Sequence, residues 1–209
     1  IQDKVIELYT AVIERAREAG LQEEVVLLEG QLGYLRGAAA RGQLIGHPAP
    51  PLDLQWISSG SREGGLDAFR GKVVVLDFWA TWCGPCIASF PNLRALREKY
   101  DPEQVVSLGV TSLQGQHYTP GTPPVDTAGS PEREFELMRT FMEEMEITWT
   151  VAFSRQDVFN QDFGVQGIPH LAILAADGTV RYNGLSPYGD LNEKTAKIDE
   201  LLEEAKRSL

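Results

Sequence analysis

The stretch VVVLDFWATWCGPC, residues 73–86, decides the fold that this sequence predicts. Its first eight residues are almost all apolar, which is typical of a strand that is buried on both faces of a sheet. Its end holds Cys83 and Cys86, the only two cysteines of the chain, and Pro85 stands where a first helical turn accepts proline. A thiol at a helix N-terminus is favoured as thiolate, and a second thiol three positions later can close a disulfide with it. The pattern therefore predicts a sulfur–sulfur bond that is made and broken.

Two other uses of a CxxC pair agree less well with the sequence. A zinc site needs four ligands, and the three histidines, His47, His117 and His170, are scattered singly along the chain. A structural disulfide across so short a loop removes little chain entropy from the unfolded state, so it would stabilise the fold weakly. We therefore predict redox chemistry at the cysteine pair and no metal site.

The composition limits the partners of the chain. Of its 209 residues, 19 are Lys or Arg and 30 are Asp or Glu, so the net charge is −11. Such a surface repels phosphate backbones and anionic lipids, and we expect no nucleic-acid binding. No apolar run approaches the ~18 residues of a membrane-spanning helix, so no transmembrane span is expected. The chain begins with Ile1 rather than methionine, as expected of a processed chain or a recombinant fragment.

Residues 1–40 carry the pattern of two helices. Gly20 divides two apolar stripes and is suited to end the first helix as a C-cap. The stripes consist of Ile1, Val5, Leu8, Val12 and Ala19 in the first half and of Leu21, Val25, Leu28, Leu32 and Leu35 in the second. We predict a helical hairpin over residues 1–40 that docks on the main domain, with a homodimer or a partner contact through this hairpin as the alternative. Residues 41–51 are predicted to be a linker, and residues 52–209 the main domain.

Beyond the linker, strand patterns alternate with helix patterns, which predicts an α/β layered fold. The expected strands include residues 73–79, 105–113 and 149–153. A helix is expected over residues 191–202 at the end of the domain, and a short helix over residues 157–163. Residues 114–131 are rich in proline and glycine, so they are predicted to form an ordered loop or a mobile flap.

Residues 77–86, DFWATWCGPC, resemble the active-site strand and turn of the thioredoxin superfamily almost position by position. Pro91 matches the proline that kinks the active-site helix of that superfamily, and residues 167–169, GIP, resemble its cis-proline loop. The two apolar runs within residues 171–182 are similar to the strands that follow that loop. The resemblance covers about residues 47–209, and it implies a thioredoxin-like fold, in which helices flank a mixed central sheet.

Within the superfamily the chain is more similar to the TlpA/ResA-type thiol-disulfide oxidoreductases, with their redoxin (AhpC/TSA-like) domain, than to plain thioredoxin. Residues 46–50, GHPAP, resemble the leading segment of that group, and residues 114–147 resemble its insertion after the second core strand. The resemblance implies an upstream dithiol as electron donor and no cofactor beyond the Cys83–Cys86 disulfide. It also implies a periplasmic or extracytoplasmic location, although a cytoplasmic one stays open.

Three residues of the deciding stretch predict a mechanism. Cys83 is nearer the helix start, so we assign it as the nucleophile whose thiolate attacks a substrate disulfide and forms a mixed disulfide. Cys86 lies one turn deeper and would resolve that intermediate once a base has taken its proton. Asp77 is the candidate base, acting through a water, because a carboxylate within an apolar strand has a raised pKa. The alternative for Asp77 is a polar residue at a strand end that backbone groups satisfy.

The cis-proline resemblance implies a substrate-binding loop. In the family, the residue before the proline offers its backbone to the substrate as an added strand, and Ile168 before Pro169 would do so here. The neighbouring His170 is a candidate to favour the Cys83 thiolate, and the alternative is a surface or packing histidine.

The residues around the cysteines also bear on substrate and direction. Trp82 is expected to form an apolar rim for protein substrates, whereas Trp79 is expected in the core. The dipeptide Gly84-Pro85 resembles that of the reducing members, so we expect a disulfide reductase of protein partners. An oxidase or isomerase of the same fold remains the alternative. A thiol peroxidase agrees less well with the sequence. Peroxiredoxins carry a threonine three residues before their reactive cysteine, whereas Thr81 lies only two residues before it here.

Overall fold

A six-stranded mixed sheet forms the centre of the structure, a computed structural model that describes residues 2–61 and 63–207. Ile1, Arg62 and residues 208–209, which the predicted hairpin and domain include, lie outside the described residues. The strands of the sheet are β1 (Leu54–Ile57), β2 (Val73–Phe78), β3 (Val105–Ser112), β6 (Thr150–Ser154), β7 (His170–Leu174) and β8 (Val180–Leu185). A separate pair consists of β4 (Gln116–His117) and β5 (Val125–Asp126).

The order of strands in the sheet is β1-β6-β3-β2-β7-β8. β2 runs parallel to β3 and antiparallel to β7, while β1 and β8 are the antiparallel edges. All six residues of β2 are buried, as the apolar run predicted. The helices are α1 (Gln2–Glu18), α2 (Gln22–Arg36), α3 (Gly84–Lys99), α4 (Pro131–Glu144) and α5 (Leu191–Arg207). A mixed sheet flanked by helices confirms the predicted fold class.

The two faces of the sheet carry separate halves of the core. Because side chains alternate along a strand, the odd-numbered residues of β2 face α3, α4 and α5, and the even-numbered residues face the opposite side. The opposite side is covered by a 3-10 helix, Gly65–Phe69, and by the chain over residues 157–165. The active-site helix α3 therefore shares its face of the sheet with the odd-numbered residues, which include Asp77.

Residues 157–163 are irregular, so the predicted short helix is wrong. Asp157 Oδ1 accepts the backbone N–H of Phe159 at 2.8 Å. Asn160 Oδ1 accepts the N–H groups of both Asp162 and Phe163 at 3.1 Å. These side chains bind backbone donors that a helix would pair with carbonyl oxygens, which is why the segment turns instead of coiling.

The N-terminal helices form a hairpin with a small core of its own, made by Ile13 and Ala16 of α1 and Val25 and Leu32 of α2. Between the helices, Gly20 has a left-handed φ of 73°. The N–H of the next residue donates back to the Ala16 carbonyl oxygen at 3.0 Å, as in a glycine C-cap.

The hairpin docks on the main domain through α2. Gly33 and Gly37 approach Gln161 so closely that a Cβ at either glycine would lie 2.1 Å from an atom of Gln161. The predicted linker, residues 41–51, also contacts the domain, since the Ala49 N–H donates to the Gly178 carbonyl oxygen at 3.0 Å. The division into hairpin, linker and domain stays a prediction.

Gly109 of β3 lies opposite Asp77, and two indoles occupy the space that a side chain would need. A Cβ here would lie 2.7 Å from Trp79 Nε1 and 3.2 Å from Trp149 Nε1. Both indoles are buried, so Gly109→Ala is expected to lower the free energy of unfolding by about 2 kcal/mol, as measured by urea denaturation. Gly30→Ala, where a Cβ meets nothing within 4 Å, is the control and should not destabilise. An unchanged midpoint for Gly109→Ala would contradict the prediction.

Candidate active site

The two cysteines lie at the junction between the end of β2 and the first turn of α3. After β2 the chain turns, and the Cys83 N–H donates to the Ala80 carbonyl oxygen at 3.0 Å. Cys83 is the N-cap of α3, and Pro85 stands in the first turn as the sequence predicted. Cys83 and Cys86 form a disulfide and are 4% and 0% exposed, so the sulfur nearer solvent is that of Cys83.

The helix itself stabilises negative charge on Cys83. The backbone N–H of Cys86 donates to Cys83 Sγ at 3.1 Å, a bond that belongs to the N-cap position. In the reduced protein the same donor and the positive end of the helix dipole would favour the thiolate. Cys86 is one turn further along and has no exposed surface, so it is the less reactive sulfur.

An aromatic rim lies beside the disulfide. Trp82 is 40% exposed, and its Nε1 donates to Gln114 Oε1 at 2.8 Å. Its ring lies 6.3 Å from that of Phe159, which is 38% exposed. Between the two cysteines, Gly84 and Pro85 are exposed. The buried disulfide thus lies beside exposed residues that carry no formal charge.

The loop before β7 reaches the nucleophile. The Ile168–Pro169 peptide bond is cis, and both residues are half-buried. The carbonyl oxygen of Ile168 lies 3.7 Å from Cys83 Sγ. The structure therefore brings together the CxxC turn and the loop that the sequence resemblance paired with it.

His170 is placed differently from its predicted role. It pairs with Phe78 across β2 and β7, so its side chain lies on the face opposite α3. Its Nε2 lies 3.0 Å from Asn183 Oδ1, and its ring packs edge-on against Phe78. Burial lowers the pKa of His170, and the hydrogen bond to Asn183 opposes that shift. The structure does not bring this ring to Cys83, which favours the packing alternative.

Asp77 is one of the ionisable side chains that the fold buries. It is 3% exposed and lies on the α3 face of β2. Neither carboxylate oxygen has a hydrogen-bond partner among the described residues, so backbone groups do not satisfy it as the alternative supposed. Burial raises the pKa of Asp77 from 3.8 to about 7. A carboxyl with such a pKa is suited to exchange protons near neutral pH.

Other buried polar atoms near this face also lack partners within the described part of the chain. They are Trp79 Nε1, Trp149 Nε1, Ser107 Oγ and both ring nitrogens of His117. The ring of His117 packs edge-on against Phe141, and Phe141 stacks on Trp79. Burial lowers the pKa of His117. Sequence reasoning treated this histidine only as a scattered residue, because its buried position depends on packing between residues far apart in the chain.

Sequence reasoning also missed the residues that hold Trp82 of the aromatic rim in place. Gln114 accepts from Trp82, while its backbone N–H donates to Glu134 Oε1 at 2.9 Å. Glu134 is buried and also accepts from Thr127 Oγ1 at 2.7 Å. The insertion thus anchors the rim tryptophan through contacts between residues up to 32 positions apart, which leave no local pattern.

In the described ranges, no group of three or more His, Cys, Asp or Glu side chains is arranged to hold a metal ion. None of the helices described combines the length and the apolar character needed to cross a bilayer.

The fold and this site define a thiol-disulfide oxidoreductase of thioredoxin-like fold. The Redoxin family model matches residues 44–202, and the chain belongs to that family. It is 28% identical over 137 residues to the thioredoxin-like protein YneN of Bacillus subtilis, which covers 65% of this chain and 68% of that protein. It is also 28% identical over 137 residues to the thiol-disulfide oxidoreductase ResA of Geobacillus thermodenitrificans, covering 66% of this chain and 67% of ResA.

Solved structures agree with the fold. A thiol-disulfide isomerase from Corynebacterium glutamicum superposes with a TM-score of 0.55 at 22% identity, covering 73% of this chain and 96% of that one. A thioredoxin-like protein from Aeropyrum pernix superposes with a TM-score of 0.51 at 22% identity and covers 89% of this chain and 99% of its own. At these identities the likeness concerns the fold alone.

Proposed function

We propose that this protein reduces disulfides of protein partners by dithiol-disulfide exchange through Cys83 and Cys86. The observation that carries the proposal is the N-cap position of Cys83, whose sulfur accepts the Cys86 N–H at 3.1 Å beside the Ile168 carbonyl. That position favours a thiolate, and the neighbouring backbone can receive a substrate strand.

The first half of the reaction forms a mixed disulfide. The Cys83 thiolate attacks one sulfur of the substrate disulfide, the substrate S–S bond breaks, and the second substrate sulfur leaves as a thiolate. The Ile168 backbone would hold the substrate chain, with Pro169 shaping the loop. The exposed Trp82 would cover the apolar part of the substrate near its cysteine.

The second half releases the reduced substrate. The Cys86 thiol gives its proton to Asp77 through a water, and the resulting thiolate attacks Cys83 Sγ. The Cys83–Cys86 disulfide forms, the mixed disulfide between Cys83 and the substrate breaks, and the substrate sulfur that was bonded to Cys83 leaves as a thiolate and takes up a proton. Two electrons have then passed from the protein to the substrate, and an upstream dithiol must return them. We place this cycle in a periplasmic or extracytoplasmic compartment, a placement supported only by the TlpA/ResA resemblance.

The equilibrium reduction potential tests the direction. The protein is equilibrated in graded dithiothreitol or glutathione buffers, and Trp fluorescence reports the redox state. A value near about −270 mV, that of thioredoxin, is expected of a reductase. A value near about −120 mV, that of strong oxidants, would overturn the proposal in favour of an oxidase or isomerase. The control is the double variant Cys83→Ser, Cys86→Ser, whose fluorescence should not change across the buffers.

A further inference from the structure

An open apolar groove lies between α2 and the irregular segment that follows β6. Its volume is about 590 Å³, and its apolar lining consists of Val26, Leu27, Leu35, Phe159 and Val165. Val26 and Leu27 are 62% and 65% exposed, although both are large apolar side chains on a helix that packs its other side against α1. An exposed apolar surface of this kind marks a place where a partner binds.

The groove is continuous with the active site in two ways. Phe159 belongs both to the groove and to the aromatic rim, because its ring lies 6.3 Å from that of Trp82. Val165, a second lining residue, precedes Ile168 by three positions, and the Ile168 carbonyl oxygen lies 3.7 Å from Cys83 Sγ. A polypeptide bound along the Ile168 backbone would therefore pass from the cysteine into the groove.

The chemistry of the lining defines what the groove accepts. The polar side chains that line it are three glutamines and two tyrosines, and no lining residue carries a formal charge at neutral pH. An uncharged apolar side chain would gain by leaving water there, whereas a charged one would find no partner.

We propose that this groove binds an apolar side chain of the substrate polypeptide, about three to five residues from the reacting cysteine. The spacing corresponds to the offset of three positions between Val165 and Ile168, since an extended substrate strand advances about 3.3 Å per residue. The proposal rests on the proposed function, which it deepens by defining the class of substrate. A second copy of the chain suits the groove less well. A copy bound over Phe159 would also cover the aromatic rim beside Cys83, where the substrate must bind.

The test compares peptides that differ in one side chain. Serine- and glycine-based peptides carry one cysteine activated as a mixed disulfide with 5-thio-2-nitrobenzoate, with either serine or leucine three to five residues to each side. The reduced Cys86→Ser variant attacks through Cys83, which joins the peptide and releases the coloured thiolate. At its best position leucine is expected to raise the second-order rate constant roughly tenfold over serine.

Variants locate that preference in the groove. Val26→Gln and Leu27→Gln, each added to Cys86→Ser, are expected to lose most of the leucine-to-serine ratio. Leu8→Gln is the matched control, because Leu8 is 64% exposed, as Leu27 is at 65%, but lies on α1 outside the groove. It should keep the full ratio. Equal rates for leucine and serine at every position, or a ratio undiminished in Leu27→Gln, would overturn the proposal.

A binding measurement separates this proposal from the proposed function. The double variant Cys83→Ser, Cys86→Ser is titrated with the leucine peptide, its cysteine replaced by serine, and amide shifts are followed by NMR. Shifts at Val26 and Leu27 that the all-serine peptide does not cause support the groove even if Cys83 proves unreactive. Light scattering gives the third outcome. If the protein is a dimer that dissociates in Leu27→Gln, and the peptides show no preference for leucine over serine, the groove binds a second copy of the chain and the proposal is overturned.

Discussion

Asp77→Asn is expected to stabilise the oxidised protein relative to wild type increasingly as the pH rises from about 4 to about 7. The carboxyl is buried without a hydrogen-bond partner, and its pKa is raised from 3.8 to about 7. Such a shift of about three units corresponds to about 4 kcal/mol between the two protonation states. The difference in the free energy of unfolding, variant minus wild type, should therefore grow by up to about 4 kcal/mol over this range.

The sign follows from where the proton is held. Below pH 3.8 the carboxyl is neutral in both the folded and the unfolded chain, so its contribution to stability is fully present. Between 3.8 and about 7 the unfolded chain loses the proton while the folded chain keeps it, so wild-type stability falls with pH. Above about 7 both states are ionised and the difference is constant. Asparagine does not titrate, so the variant lacks this loss.

Urea unfolding at a series of pH values, with the disulfide intact, measures the difference without interference from titrating thiols. The constant offset that the asparagine amide introduces does not affect the pH-dependent part. Asp162→Asn removes an exposed carboxylate instead and is the control for the loss of one acidic side chain from the surface. A flat difference for Asp77→Asn would show that this carboxyl is ionised in the folded protein at acidic pH, and would remove the basis of its role as proton acceptor.

The fold and the centre of the site were predictable because their signals are local. An apolar run leading into a CxxC turn defines β2, the N-terminus of α3 and the place of the disulfide, all within residues 73–86. The burial of Asp77 follows from the same run. The alternation of side chains along β2 then places this carboxyl on the same face as Val75 and Trp79, and the structure shows that α3 covers that face.

What escaped prediction depends on contacts between distant segments or on side chains that compete with the backbone. Phe159 was expected on a short helix, but asparagine and aspartate side chains bind the backbone donors of that segment and expose its ring beside Trp82. The face of the sheet on which the His170 side chain lies is set by the register of β7 against β2, which the sequence does not reveal. The anchoring of Trp82 by Gln114 joins two loops that no periodicity relates.

Cys83→Ser and Cys86→Ser are expected to fail at different steps of the same reaction. In Cys83→Ser the remaining sulfur is fully buried and lacks the N-cap position, so mixed disulfides with a protein such as insulin should not form. In Cys86→Ser, Cys83 can still attack, but no internal thiol resolves the product. Intramolecular groups act at effective concentrations of about 10⁵ M or more, so turnover should fall by at least about 10³-fold, while the mixed disulfide accumulates.

Intact-mass spectrometry after mixing each reduced variant with insulin distinguishes the two roles. Cys86→Ser should carry an insulin chain linked to Cys83, released by dithiothreitol, and Cys83→Ser should remain unmodified, as should the double variant. The reverse pattern, with adducts forming at Cys86 faster than at Cys83, would mean that the buried sulfur becomes accessible on reduction. It would then be the nucleophile, and the hydrogen bond from the Cys86 N–H to Cys83 Sγ would not decide which sulfur reacts.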